Sequence, residues 1–239
     1  MGKLIVITLL ALISNYSRAQ ITIHDVYNNV HNTINASSLS NADIVKGLKE
    51  ALNIGSNKAS EQASKMDGFF KNPQIKIPYP PQTRDMMSTL KNLGMTAQVN
   101  EFEKQLNRAA EDAATKAGPV FLNAITTITI NDGVSILKGS NDAATQYLKQ
   151  NTSHELANQF KPSIAASLQK VQITRYWKPL FEKYNKLPFV KKVNPNLEEY
   201  VTQKAIDGLF ALVAQEELKI RQDPAARITD LLRKVFGAK

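Results

Sequence analysis

The chain has no cysteine in its 239 residues. Disulfides, thiolate metal sites, thiol nucleophiles and iron–sulfur clusters are excluded together, and so is acylation of a lipoprotein cysteine. Histidine is scarce: His24, His31 and His154 are the only three. None of them pairs at the spacing of a zinc site or a catalytic triad. Walker-type loops, Gly-x-Gly-x-x-Gly, Gly-x-Ser-x-Gly and His-Glu-x-x-His are missing. Asp132, Asn141 and Asp142 do not follow the ligand spacing of a calcium loop and read as turn and cap residues. No metal and no cofactor is therefore expected. Long apolar runs are lacking too, since Leu4–Ile13 has ten residues and a membrane-spanning helix needs about 20.

What is present is ordinary for a globular protein, with 43% hydrophobic and 21% charged residues, enough to bury a core. Met1-Gly2-Lys3 is a short basic start, Leu4–Ile13 an apolar stretch, and Ser17-Arg18-Ala19 resembles a small-x-small cleavage site before Gln20. Residues 1–19 read as a secretory signal peptide, which predicts a periplasmic or secreted chain after cleavage near Ala19-Gln20. An uncleaved N-terminal anchor is the alternative. Cleavage removes Lys3 and Arg18 but no carboxylate, so the formal net charge falls only from +9 to +7. That excess favours anionic surfaces such as phospholipid headgroups. Nucleic acid is not expected as the partner of an exported protein.

Residues 20–39, rich in Asn, Thr and Ser, read as an N-terminal arm or a weakly docked helix. From Ser40 the pattern becomes helical, with Ile44, Leu48, Ala51 and Leu52 on one face and continuation past Gly55 towards Met66. The run from Ile75 to Pro81 cannot be helical because of its prolines, and is expected to cross in extended form as one short Pro-rich segment, with a short edge strand possible there. Two amphipathic helices follow, one carrying Met86, Met87, Leu90 and Leu93 up to Gly94. The other carries Val99, Phe102, Leu106, Ala109, Ala110, Ala113 and Ala117 up to Gly118-Pro119. Val120–Ile130 has high β-propensity, yet Pro119 suits a first helical turn and no partner strand is evident, so helix is favoured over strand. Asn131-Asp132-Gly133 and Gly139–Asp142 read as turns, the second capping a helix through Ala143 and Leu148. Further helices are expected over Ser153–Val171, Arg175–Asn185 and Asn196–Arg221, with a last one opening at Asp223-Pro224. Residues 40–239 thus predict a single all-α, multi-helix, bundle-like domain.

Several separated stretches together carry a family resemblance. They are Gly47–Leu52, Ile75–Pro78, Leu106–Glu111, Ala143–Tyr147, Tyr200–Phe210, Glu216–Arg221 and Asp223–Arg227. In this order, from about Ser40 to Gly237, the chain resembles the bacterial domain of unknown function 4197 family. The resemblance implies an exported, mostly helical domain, often a lipoprotein, with no assigned activity. The missing cysteine departs from the lipoprotein pattern.

Candidate functional residues are few. Arg108 and Glu111, with Glu101, Lys104 and Asp112 nearby, read as a solvated helix face laced with ion pairs. Asp207 lies in a run apolar almost all round, Ala205–Ala214, and reads as a buried carboxylate needing a partner such as Lys204. Its functional alternative is a general acid or base. The densest feature is Arg175–Lys192, where Arg175, Lys178, Lys183, Lys186, Lys191 and Lys192 oppose Glu182 alone, interleaved with Tyr176, Trp177, Phe181, Tyr184 and Phe189. Trp177, Phe181 and Tyr184 at helical spacing set an aromatic face beside a basic one, as interfacial helices do. The alternative is that these aromatics are core and the lysines its rim. Pro188 then turns Phe189-Val190 outwards or back onto the body. Two functions follow from different classes. One is a non-enzymatic binding domain of the bacterial cell envelope, meeting an amphipathic ligand between its helices or an anionic membrane surface. The other is an envelope hydrolase that uses carboxylates such as Asp207.

Overall fold

A computed structural model describes residues 39–170, 173–193 and 196–237, with side chains 170 and 173–177 left undescribed. Residues 1–19, read above as a signal peptide, and most of residues 20–39, read as an N-terminal arm, lie outside the described residues. Among the described residues nine α-helices appear in chain order: α1 (Asn41–Ser64), α2 (Arg84–Asn92), α3 (Thr96–Ala114), α4 (Ala117–Thr126) and α5 (Ile130–Lys138), followed by α6 (Ala143–Lys170), α7 (Ile173–Asn185), α8 (Leu197–Gln222) and α9 (Asp230–Gly237). Short 3₁₀ turns occupy Pro81–Thr83 and Pro224–Ala226, and no strand occurs among the described residues. The all-α expectation holds.

Helix α8 is the axis of the core and packs against α6, α1 and α3. It buries Val201, Ala205, Ile206, Leu209, Phe210, Leu212, Val213 and Ile220, which leaves only a narrow row to solvent. The stripe read on α3 is the observed buried face: Val99, Phe102, Leu106, Ala109, Ala110 and Ala113 are fully enclosed. Each such Phe or Leu contributes roughly 2 kcal/mol by leaving water. Phe121 of α4 meets Phe210 of α8 edge to face, centroids 5.7 Å apart, an arrangement favoured by the ring quadrupoles. Small residues set the closest approaches. A Cβ on Gly47 of α1 would lie 2.6 Å from Val235 of α9, and one on Gly208 of α8 would lie 2.7 Å from the Phe69 ring. Gly94 takes φ +82° just beyond α2, where the Met95 N–H reaches the Leu90 carbonyl at 3.0 Å, a left-handed helix stop that suits glycine.

Four local expectations need correcting. Ile75–Pro80 is non-helical but, among the described residues, has no strand partner: the side chain of Asn107 substitutes for one, as described below. The β-prone stretch, by contrast, is helical through Thr126 as favoured, because Phe121 and Ile125, one turn apart, are both buried. Asn131-Asp132-Gly133 is the first turn of α5, not a loop. Thr129 caps it, with the Asp132 carboxylate accepting from the Thr129 N–H at 2.9 Å in a capping box. Helix α6 runs unbroken through Asn151–Ser153 and over Pro162; the hydroxyls of Thr152 and Ser153 donate back to the carbonyls of Leu148 and Lys149. Asp223 caps only a 3₁₀ turn, and the last helix restarts at Asp230. In between, Arg227 donates to the Ile220 and Arg221 carbonyls at the end of α8, both at 2.9 Å.

Candidate functional site

The polar residues of the motifs are concentrated at junctions between elements. Asn107 on α3 is fully buried. Its Oδ1 accepts from the Ile77 N–H at 2.8 Å and its Nδ2 donates to the Ile77 carbonyl at 2.9 Å, so one amide satisfies a crossing backbone as a neighbouring strand would. One position later, Arg108 donates to Asp67 and to Glu111, both at 2.6 Å. Glu111 Oε1 accepts the Phe69 and Phe70 N–H groups, each at 3.1 Å. The Glu111 side chain is 5% exposed, which overturns the reading of Arg108 and Glu111 as a solvated face. Hydrogen bonds from Lys71 and then Arg108 hold the Asp67 carboxyl below its ordinary value. Burial pulls the Arg108 guanidinium down, but the bonds to Glu111 and Asp67 outweigh it and the net shift is upward.

A cleft beside this cluster is lined by Met66, Arg108, Glu111, Asp112, Thr115 and Ser167. Ser167 donates its hydroxyl to Asp112. Arg108 already holds two carboxylates, and no imidazole lines the cleft to activate the serine. The arrangement joins α1, α3 and α6 and assembles no catalytic set.

Asp207 is not a buried carboxylate. Its side chain is 40% exposed, 4.0 Å from Lys149, and it accepts from Gln203 Nε2 at 3.1 Å. The physical reason is its row: Gln203, Asp207, Ala211 and Leu218 lie along the solvent face of α8. The buried carboxylates of α8 are Glu216 and Glu217. Glu217 accepts from the N–H groups of Ala144 and Thr145 at the start of α6, at 3.0 and 2.8 Å.

The basic segment divides unevenly. Arg175, Tyr176 and Trp177 belong to α7 by backbone, but their side chains lie outside those described. Lys178 is 65% exposed with Glu182 3.9 Å away, and Lys183, Lys186, Lys191 and Lys192 are exposed. Tyr184 turns inwards to 5% exposure alongside fully buried Leu180, one turn earlier, while Phe181 is half-buried. The expected aromatic face is thereby split, because Leu180 and Tyr184 anchor α7 to the body. Beyond α7 the chain forms a loop closed at its base by Asn185, whose Oδ1 accepts from the Val193 N–H at 3.3 Å and whose Nδ2 donates to its carbonyl at 3.4 Å. Phe189 stands in this loop at 107% relative exposure, with φ +63°. An open groove at the loop's base is lined by Phe181, Glu182, Asn185, Lys186, Lys192 and Val193. Phe189 is absent from the aromatic face drawn on the helix; its signal is Pro188, which ends the helical register one residue before it.

Between α1, α8 and α9 a small cavity holds about 10 Å³, walled by Leu48, Leu52, Val213, Ile220 and Phe236 among others. That is room for about one water molecule and not for an amphiphile. Among the described residues no single helix is long and apolar enough to cross a membrane.

Comparison with known proteins places residues 38–237 under the model of a family described as a protein of unknown function, DUF4197. No curated protein and no solved structure matches the chain.

Proposed function

Because this chain belongs to the DUF4197 family, whose description carries no activity, we propose a role from its own surface: a non-enzymatic, exported domain of the cell envelope that docks on an anionic phospholipid leaflet through α7 and the loop after it. The observation that supports it is the set of exposed lysines at 178, 183, 186, 191 and 192, opposed within that segment by Glu182 alone. A lysine near an anionic leaflet contributes about 1 kcal/mol. Five give weak, salt-sensitive and reversible attachment. The cavity between α1, α8 and α9 has room for about one water molecule, which favours this surface reading over a ligand held there.

The test is co-sedimentation of residues 20–239 with vesicles of phosphatidylglycerol and phosphatidylcholine, against phosphatidylcholine alone. Retention on the anionic vesicles at low salt, lost as salt rises, is expected, and Lys186→Glu with Lys192→Glu should abolish it. Equal indifference to both vesicle types overturns the reading.

A further inference from the structure

We infer that Phe189 is a membrane wedge, a side chain that enters the headgroup and acyl boundary of an anionic phospholipid leaflet while the surrounding lysines hold the phosphates. This rests on the docking role proposed above and adds to it a definite point of entry.

The loop is built rather than slack. It leaves α7 through the Leu187 N–H, which donates to the Tyr184 carbonyl at 3.0 Å, and closes on both backbone groups of Val193 through Asn185. Leu180 and Tyr184, buried at 0% and 5%, fix the helix that carries it. On this anchored base Phe189 is turned fully to solvent. The other exposed large apolar side chains among the described residues are less so, from Leu218 at 38% to Met66 at 81%. Its φ of +63° lies in the left-handed region, which bulky L residues seldom adopt. The described residues around it bury none of its apolar surface. Non-glycine strain of this kind collects at binding and functional sites.

The chemistry next to it selects the occupant. Lys186, Lys191 and Lys192 lie within three residues of Phe189 in sequence and are exposed. Ammonium groups around one aromatic match a layer in which phosphates lie just above hydrocarbon, where long lysine stems can keep their charges at the phosphates while the ring sits deeper. An acidic protein partner would satisfy the lysines equally but offers no apolar layer at a fixed depth below its charges.

The absence of cysteine makes the test clean, because Phe189→Cys takes a single polarity-sensitive dye. Bound to phosphatidylglycerol vesicles, the label at 189 is expected to shift to the blue and to be quenched by spin-labelled acyl chains. A label at exposed Glu61→Cys on α1 should do neither. In unlabelled protein, Phe189→Asn keeps a residue that tolerates left-handed backbone. It should leave the unfolding midpoint unchanged or raised and weaken vesicle binding at least tenfold, whereas Phe189→Trp restores binding. Protein that sediments with anionic vesicles while the label at 189 keeps its aqueous spectrum overturns the wedge and leaves docking intact. Protein that does not sediment at all overturns both. Unchanged affinity in Phe189→Asn also overturns the wedge.

Discussion

Glu217 and Arg221, one turn apart on α8, meet at 2.9 Å with both side chains 8% exposed, and between them they close two other helices. Glu217 takes the first N–H groups of α6, while Arg221 donates to the Ile136 and Leu137 carbonyls at the end of α5, at 2.9 and 3.3 Å. Each charge lies at the helix end whose dipole favours it. Arg221→Met strands a buried carboxylate and is expected to cost about 3–5 kcal/mol. Adding Glu217→Leu should recover part of that loss by removing the stranded charge. The recovery stays incomplete, because the Ala144 and Thr145 donors are orphaned. Urea unfolding of the two single variants and the double tests this. A double variant as unstable as the sum of the singles would refute the pairing.

Asn107 makes a similar junction without charge. Asn107→Ala leaves both backbone groups of Ile77 buried and unsatisfied, at about 1–3 kcal/mol for each. Hydrogen exchange should show the Ile77 amide losing its protection, with α3 itself far less affected. Continued protection at Ile77 would mean that the crossing segment is held by its apolar contacts alone.

How much of this is legible in the sequence depends on the distance over which each signal acts. The stripe on α3 is legible because Val99, Phe102, Leu106 and Ala113 share a face whatever surrounds the helix. Asp207 is misread because Ala211 and Leu218 occupy the solvent row of α8, so the periodic contrast that marks an exposed face is erased. Glu111 and Glu217 are misread or passed over because their partners lie 41 to 73 residues away, beyond any local spacing rule. The basic segment is legible as charge, but which aromatic faces out is decided by Leu180, Tyr184 and the Asn185 clamp.

Two glycines should respond to alanine very differently. At Gly208 a Cβ would stand 2.7 Å from the Phe69 ring and 3.1 Å from Ile75, and Phe69 is fully enclosed and has no room to yield. Overpacking of about 1–3 kcal/mol then exceeds the helix-propensity gain of about 1 kcal/mol, so Gly208→Ala destabilises. At Gly118 on α4 the nearest atom beyond its chain neighbours and its own helix backbone is 4.0 Å away, so Gly118→Ala meets no tertiary clash and should cost far less than Gly208→Ala. Thermal unfolding of both variants decides it; a stabilised Gly208→Ala would show that the crossing segment gives way.

The acid side of the stability curve should carry the imprint of lowered carboxylates, Asp67 and Asp132 among them. Asp67 is held below 3.8 by its hydrogen bonds to Lys71 and then to Arg108. Asp132 is lowered by the hydroxyl and then the N–H of Thr129. For a group whose folded pKa is depressed, the unfolded chain binds the proton first as pH falls. The stability that each supplies is therefore complete above 3.8 and lost as pH drops through its folded value. Asp67→Asn cannot titrate, so the wild-type advantage over it should be widest at neutral pH and shrink below 3.8. Urea midpoints of the pair across the acid range provide the comparison. An advantage that stays constant or grows through that range would mean that Asp67 stabilises the junction by shape alone, with its charge contributing nothing.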